Sequence, residues 1–153
     1  MILDPSTGTI QIDSNHNQEE PTIDTQNIVR AAAEAAIEMK ATDLTILDVR
    51  GRTSFCDWLL LCNGSNSRQL SAIADHILKA FTRLEGREPL GVEGGSNNKW
   101  VLIDLGDVIV HVFDQQMRGY YDLDGLWIDA PRVSPVDLGI EDVPSEVFGY
   151  ALP

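Results

Sequence analysis

Residues 100–113 read WVLIDLGDVIVHVF and consist of two β-rich runs joined by Gly106-Asp107. Val, Ile, Trp and Phe favour strands, and a two-residue turn containing Gly suits the tight connection of a β-hairpin. The stretch therefore predicts a hairpin of two strands, Trp100–Leu105 and Val108–Phe113.

Two helices are predicted on the N-terminal side of this hairpin. In the alanine-rich segment over 25–40, an apolar residue recurs every three to four positions, which predicts a helix with one narrow apolar face. The same spacing recurs over Leu70–Leu84, where the Ser65–Ser67 run offers an N-cap and Gly86 stands at the usual stop position.

Further strands complete the fold prediction. Residues 58–62 are apolar without alternation, as expected of a strand that is covered on both faces. Other strands are expected over 44–49 and 90–93, a loop over 94–98, and short helical turns over 115–120 and 123–127. The order predicts an α/β (α+β) fold, a mixed sheet of about five strands flanked by helices.

Charge divides the chain into three parts. The 153 residues carry a net charge of -13, and nine of the 24 acids lie in flanks without Lys or Arg, over 1–26 and 133–153. Residues 27–132 hold all eleven cations and are only mildly acidic. We expect a disordered acidic segment over 1–26, a folded domain over 27–132, and an acidic C-terminal extension over 133–153 that packs loosely or not at all.

The composition excludes several classes of protein. A strongly acidic surface disfavours phosphate-driven binding to DNA or RNA and suits a basic protein partner better. No apolar run approaches the roughly 18 residues needed to cross a bilayer, and the N-terminus resembles neither a secretory signal nor a transit peptide. Cys56 and Cys62 are expected to be buried thiols in a reducing cytosol, so a cytoplasmic location is predicted.

Three groups of residues are candidates for catalysis or ligand binding, and each also has a simpler structural explanation. The Gly64–Ser67 run could hold a phosphate at a helix N-terminus, but it lacks the P-loop Lys and favours a helix cap. Asp122-Leu123-Asp124 has a spacing that Mg²⁺ sites use, although exposed acids beside a turn explain it better. Ser54, Asp57 and His111 have the residue types of a catalytic triad, but no oxyanion-hole motif accompanies them, so hydrolase chemistry is disfavoured. No metal site or cofactor is therefore expected.

Aromatic residues and one arginine point instead to a binding surface. Trp100 begins a strand after a polar loop, Tyr120, Tyr121 and Trp127 lie in one C-terminal stretch, and Arg118 precedes them. Trp, Tyr and Arg supply much of the energy of protein interfaces. This part of the chain is therefore a candidate protein-binding patch.

A series of collinear motifs over about residues 28–130 resembles the ribosomal silencing factor family, also called Iojap-like. The motifs are Lys40-Ala41-x-Asp43, Leu47-Asp48-Val49, Ser54-x-x-Asp57, Gly64-x-x-Ser67-Arg68-Gln69, Ala72-Ile73-Ala74-Asp75, Glu93-Gly94, Trp100–Asp104, Gly106–Phe113 and Arg118-x-Tyr120-Tyr121-Asp122-Leu123-x-x-Leu126-Trp127. Departures are mild, with Asp124 where the family usually has Glu and Ser65-Asn66 where it usually has Thr-Ser.

The resemblance implies a translation regulator without catalysis on a nucleotidyltransferase-like fold. Family members bind the large ribosomal subunit through large-subunit ribosomal protein number fourteen and block its union with the small subunit when nutrients are scarce. Organellar members act in assembly of the large subunit, and many members form homodimers. Two alternatives stay open, a large-subunit assembly factor and a nucleotide-handling enzyme that uses Ser65, Asp122 and Asp124.

The resemblance also suggests the contact surface, with Trp100 as its anchor. Replacement of Trp100 by Ala is expected to abolish ribosome binding and leave the fold intact. The residues expected at this surface are Glu93, Gly94, Trp100, Leu102, Asp104, Arg118, Tyr121, Asp122 and Leu126.

Overall fold

The computed structural model describes residues 13–94, 99–141 and 143–148. The helices are α1 (Asp13–Glu38), α2 (Ser67–Glu85), α3 (Gln115–Tyr121) and α4 (Leu123–Leu126). The strands are β1 (Thr42–Asp48), β2 (Trp58–Asn63), β3 (Gly91–Glu93), β4 (Trp100–Asp104), β5 (Val108–Phe113) and β6 (Arg132–Val133). Two short 3₁₀ helices, Pro135–Leu138 and Ser145–Phe148, follow β6.

The strands form one mixed six-stranded sheet in the order β3-β4-β5-β2-β1-β6. Strands β2 and β5 are parallel, and every other neighbouring pair is antiparallel. The predicted mixed sheet flanked by helices is confirmed, with β6 as an additional strand. Because β6 has only two residues, it is too short to leave a periodic pattern in the sequence.

The predicted hairpin and the cap of α2 are confirmed. Leu105 donates its N–H to the carbonyl of Val108 at 2.9 Å, which closes the turn, and Gly106 has the positive φ of 97° that this turn needs. At α2, Oδ1 of Asn66 accepts the N–H of Gln69 at 2.8 Å, and Gly86 ends the helix with φ 71°.

The sheet separates two apolar clusters because its side chains alternate between its faces. One face, here called the helix face, packs against α1 and α2. Its buried side chains include Ile28, Val29, Ala32, Ala36, Trp58, Leu60, Leu70, Ile73, Ile77, Phe81, Val101, Ile103, Val108, Val110 and Val112. The opposite face holds a smaller cluster covered by α3, α4 and the segment that follows, with Leu47, Val49, Cys56, Leu59, Leu61, Phe113 and Ala130.

The first helix begins earlier than predicted. Its N-terminus is Asp13, so residues 13–26 continue a helix where composition predicts disorder; residues 1–12 lie outside the described residues. Extending an existing helix needs no new nucleus, so a segment of polar composition can continue one that is packed further along.

The C-terminal segment packs against the domain, and the expectation that it packs loosely or not at all is wrong. Ile140 and Val147 are buried in the cluster on the helix face. The 3₁₀ helix Ser145–Phe148 lies against β1, and Pro135–Leu138 lies against α1. Burial of these two apolar side chains is compatible with the acids nearby, because Asp137, Glu141 and Glu146 are exposed to water.

Candidate protein-binding surface

The second face of the sheet carries four of the nine residues expected at the contact surface. Trp100, Leu102 and Asp104 alternate with the buried residues of β4, so all three point away from the helix face. Glu93 pairs with Leu102 across the β3–β4 ladder and therefore shares this face. The register of the sheet thus brings four separate sequence positions together.

Trp100 lies in a cluster of four aromatic rings. Its ring centroid is 5.1 Å from that of Phe113 in a stacked arrangement and 4.6 Å from that of Tyr121. The indole N–H of Trp100 donates to Nδ1 of His111 at 3.0 Å. Since His111 also stacks on Phe113, the tryptophan is held from three sides.

His111 is in its neutral form when it accepts the hydrogen bond from the indole N–H of Trp100. Burial, assisted by the charge of Arg118, lowers its pKa to about 4. The ring is therefore uncharged at neutral pH and carries one proton; because Nδ1 accepts the hydrogen bond from Trp100, that proton is on Nε2. The Trp100–His111 hydrogen bond could have been predicted from the hairpin register, which places His111 opposite Leu102, two residues from Trp100.

The exposed part of the surface continues along α3 and α4. Tyr121 is half-exposed, and its ring meets Tyr120 edge-on at 5.0 Å. Leu126 is 71% exposed and Ile128 is 68% exposed. We call the set of Trp100, Leu102, Tyr120, Tyr121, Leu126 and Ile128 the aromatic surface. Tyr120 belongs to the aromatic patch predicted from the sequence, whereas Ile128 was not predicted.

Arg118 lies beneath this surface and not on it, contrary to the sequence-based expectation. It is 6% exposed, and its five guanidinium N–H groups make five hydrogen bonds within the chain. The acceptors are both oxygens of Asp124, the carbonyl of Asp43, Oδ1 of Asn63 and Oγ1 of Thr45, at 2.8–3.1 Å. Arg118 therefore ties α3 and α4 to β1 and β2, which sets the position of the aromatic surface.

Asp124 is the charged partner of Arg118. Burial by itself would raise the pKa of this carboxyl, but the hydrogen bonds and charge of Arg118, with help from Arg132, lower it overall. Asp122 differs in role: it has φ 49° and caps α4, since Oδ1 accepts the N–H of Gly125 at 3.1 Å. Both aspartates are thus engaged in holding α4.

Gly94 allows β3 and β4 to approach closely. It has φ 103°, and an added Cβ would collide with the carbonyl oxygen of Trp100 and lie 3.1 Å from Cα of Val101. Its role in the structure is therefore to bring the chain beneath Trp100, which a side chain would prevent. Residues 95–98, within the predicted loop, lie outside the described residues.

The residues that were candidates for catalysis or ligand binding have structural roles or lie apart from one another. Ser65 donates its hydroxyl to Oε1 of Gln69 at 2.7 Å, as part of the helix cap. Asp57 lies beside Asp107, which precedes His111 by four residues on the β5 side of the turn. At about 3.3 Å per residue, Asp57 is therefore roughly 13 Å from His111. The proposed triad with Ser54 is therefore not assembled. Among the described residues, no group of three or more His, Cys, Asp or Glu side chains could hold a metal ion.

Cys56 and Cys62 are both free and buried, as predicted. Within the described part of the chain, no helix is both long enough and apolar enough to cross a membrane.

The fold is that of a small α/β domain with an exposed aromatic surface, and comparisons with known proteins identify its family. A family model described as "Ribosomal silencing factor during starvation" matches residues 22–147. Ribosomal silencing factor RsfS of Halalkalibacterium halodurans is 42% identical over 108 residues, covering 71% of this chain and 92% of the relative. The chain therefore belongs to the ribosomal silencing factor family, as the sequence motifs indicated.

A solved structure and a more distant relative extend this result. The crystal structure of a protein from Chromobacterium violaceum matches with a TM-score of 0.64 and 34% identity, covering 71% of this chain and 89% of that one. The mouse protein named "Mitochondrial assembly of ribosomal large subunit protein 1" is 25% identical over 89 residues, covering 57% of this chain and 39% of that protein.

Proposed function

We propose that this protein binds the large ribosomal subunit through large-subunit ribosomal protein number fourteen. Bound there, it sterically prevents the small subunit from joining, which represses translation in the cytoplasm when nutrients are limiting. In this proposal the protein acts by occupancy and without catalysis, and it needs no cofactor.

The observation that carries the proposal is the aromatic surface. Its tyrosines and its apolar residues Leu126 and Ile128 are exposed on a rigid base, and Arg118 fixes that base with five hydrogen bonds. Large, rigid aromatic side chains around an apolar centre are typical of the residues that dominate binding energy. A surface of this kind supports binding to a protein.

Charge supports a partner that itself lies on ribosomal RNA. Glu93 and Asp104 share the sheet face with Trp100, and Asp122 lies at the α3–α4 junction, so acids border the aromatic surface. Ribosomal proteins that bind RNA are basic, and opposite potentials speed association. The overall charge of -13 disfavours direct attachment to the RNA phosphates.

Size supports a steric mechanism. A folded chain of this length has a radius of gyration of about 15 Å, so its body is roughly 40 Å across. A body of that size on the face where the subunits meet would hold the two ribosomal surfaces apart. No chemical step is required for the effect.

The test is light scattering of purified subunits in association buffer, with the protein preincubated on either subunit. Preincubation of the protein with the large subunit should suppress association. In the other arm, a limiting amount of small subunit is preincubated with the protein and then separated from unbound protein. Association in that arm should be normal. Normal association despite measured binding to the large subunit would contradict the steric block.

A role in large-subunit assembly is the second candidate. It is favoured by the name of the mouse relative, which refers to assembly of the ribosomal large subunit. Depletion of the protein would then cause precursor large subunits to accumulate during rapid growth. Under the silencing proposal, depletion changes subunit joining only when nutrients are limiting.

The nucleotide-handling alternative receives less support from the contacts. Ser65 bonds to Gln69, Asp122 caps α4 and Asp124 is held by Arg118. Each side chain would have to give up a partner to reach a Mg²⁺–nucleotide complex. A thermal-shift assay with Mg²⁺ and nucleoside triphosphates checks this, because a bound ligand would raise the melting temperature.

A homodimer is also proposed, with the aromatic surface as the shared contact. In that case the dimer and the ribosomal protein compete for one surface, and the dimer must dissociate before it binds. Detection of an intact dimer on the large subunit would contradict this competition.

A further inference from the structure

A second exposed apolar site lies at one end of the sheet, away from the aromatic surface. Phe55 is 79% exposed in the β1–β2 connection, and Leu90 is 69% exposed just before β3. Leu90 donates its N–H to the carbonyl of Asp104 at 2.8 Å, and its Cδ1 lies 3.8 Å from the position of a Cβ added to Gly106. Leu90 therefore sits against the β4–β5 turn.

The Phe55 loop reaches the same turn from the other side. The N–H of Asp57 donates to the carbonyl of Asp107 at 2.7 Å, and the N–H of Trp58 donates to the same oxygen at 3.1 Å. The β4–β5 turn thus lies between the start of β2 and the start of β3. We call Phe55, Leu90, Asp57, Asp104 and Asp107 the sheet-end patch.

The charge of this patch is acidic. Oδ1 of Asp104 accepts the N–H of Gly106 at 2.9 Å, and the N–H of Asp57 donates to the carbonyl of Asp107, so the three acids are grouped around the β4–β5 turn. Burial and the charges of these acids raise the pKa of the Cys56 thiol, beside Phe55, to about 11. The cations of the same loop are partly neutralised, since Arg50 binds Asp48 with two hydrogen bonds of 2.9 and 2.7 Å. The loop and the turn together hold four acids, Asp48, Asp57, Asp104 and Asp107, against the two cations Arg50 and Arg52, so acids are in excess by two.

The patch and the aromatic surface point in different directions. Along β4, Asp104 lies about 7 Å from Leu102, the nearest member of the aromatic surface on that strand, and about 13 Å from Trp100 at the other end. The aromatic surface lies on a face of the sheet, whereas Phe55 and the β4–β5 turn project from its end. A partner seated on the face therefore leaves the end open to another contact.

We propose that the sheet-end patch binds a Lys- and Arg-rich segment of a second large-subunit protein, distinct from protein number fourteen. This proposal rests on the proposed function, because it assumes that the protein sits on the large subunit. Phe55 and Leu90 supply an apolar anchor, and the three carboxylates select a basic peptide over an RNA backbone, which they would repel.

The test compares two ligands, purified large subunits and isolated protein number fourteen, for four forms of the protein. The forms are the unchanged chain, Phe55→Ser, Asp107→Lys, and Val136→Ser as a control that alters another exposed apolar residue on the 3₁₀ helix after β6. Melting temperature is measured for each form. Because Phe55 and Asp107 are exposed, neither change should unfold the protein.

Phe55→Ser is expected to weaken binding to the large subunit by at least about tenfold, the effect of losing a buried Phe side chain. Asp107→Lys should also weaken it, while binding to isolated protein number fourteen and the Val136→Ser control stay unchanged. This pattern would support the second contact.

Three results would overturn the proposal. Unchanged subunit binding by Phe55→Ser would remove the anchor, and tighter binding by Asp107→Lys would indicate RNA in place of a basic peptide. If the two variants lost as much affinity for isolated protein number fourteen as for the large subunit, the patch would belong to the first interface. If the unchanged chain fails to bind either ligand, the proposed function fails and this proposal falls with it.

Discussion

Arg118 should contribute more to stability than any exposed ion pair of this protein. Replacing it with methionine keeps most of the aliphatic stem and removes all five hydrogen bonds. It leaves Oδ1 of Asn63, Oγ1 of Thr45 and the carboxylate of Asp124 without their partner. Breaking a buried charged pair from one side costs about 3–5 kcal/mol.

The lower end of that range applies here. The Asp124 side chain keeps 26% exposure, and Arg132 lies 3.8 Å from its Oδ1, so water and a second cation partly compensate. We therefore expect Arg118→Met to lower the free energy of unfolding by about 3 kcal/mol. The double variant with Asp124→Asn should lose less than the sum of the two single changes, because no uncompensated carboxylate remains.

The assay is urea unfolding at pH 7, followed by circular dichroism and by tryptophan fluorescence. Arg132→Met is the matched control, because Arg132 approaches the same carboxylate but is 56% exposed. Its removal should change stability by no more than about 0.5 kcal/mol. A loss of less than about 1 kcal/mol for Arg118→Met would refute the view that this arginine holds α3 and α4 in place.

Three further predictions concern Gly94, His111 and Cys62. Gly94→Ala should destabilise the protein by about 1–3 kcal/mol in urea unfolding, whereas Gly91→Ala, which meets open space, should cost less than about 1 kcal/mol; equal costs would refute the close approach. Because the folded pKa of His111 is about 4, below its ordinary 6.5, the unfolded chain binds the extra proton, and stability should fall by about 2 kcal/mol from pH 7 to pH 5. His111→Gln should lack this component, and an identical pH dependence would contradict it. Burial raises the pKa of Cys62 to about 12, so a disulfide reagent at pH 8 should react with it at least about a hundredfold more slowly than in urea; comparable rates would show that the thiol is accessible.

Local patterns were sufficient for much of the fold. The Gly106-Asp107 turn and the cap at Asn66 depend on residues within a few positions of one another, so the sequence predicted both. The unbroken apolar run of β2 is explained by its central place between β5 and β1, where all six residues are buried. Patterns of this kind can be interpreted from residues that are neighbours in the sequence, without knowledge of the tertiary contacts.

The features that the sequence did not predict depend on distant contacts. Arg118 looked like an interface residue because arginine is common there, but its partners lie 55 and more positions away in β1 and β2 as well as nearby in α4. Ile140 and Val147 are buried because α1 and β1 leave apolar surface open beside them. No local rule distinguishes these residues from exposed ones.

The grouping of residues at the candidate surface was predicted in part. Alternation along β4 places Trp100 and Leu102 on one face, so a strand assignment alone brings them together. Ile128 was missed, since its exposure in the turn after α4 follows from packing and not from periodicity. Trp100 is also less suitable as a test position than expected, because its ring packs against Phe113 and its removal would cost stability as well as binding.

The most direct test of the account measures binding of isolated large-subunit ribosomal protein number fourteen to two matched variants. Leu126→Glu alters the aromatic surface, and Val136→Glu alters a residue of similar exposure, 65% against 71%, on the 3₁₀ helix beside α1. Leu126→Glu should weaken binding by at least about tenfold, with Val136→Glu and both melting temperatures near those of the unchanged chain. Equal affinity for the two variants would contradict the claim that the aromatic surface is the ribosome-binding site.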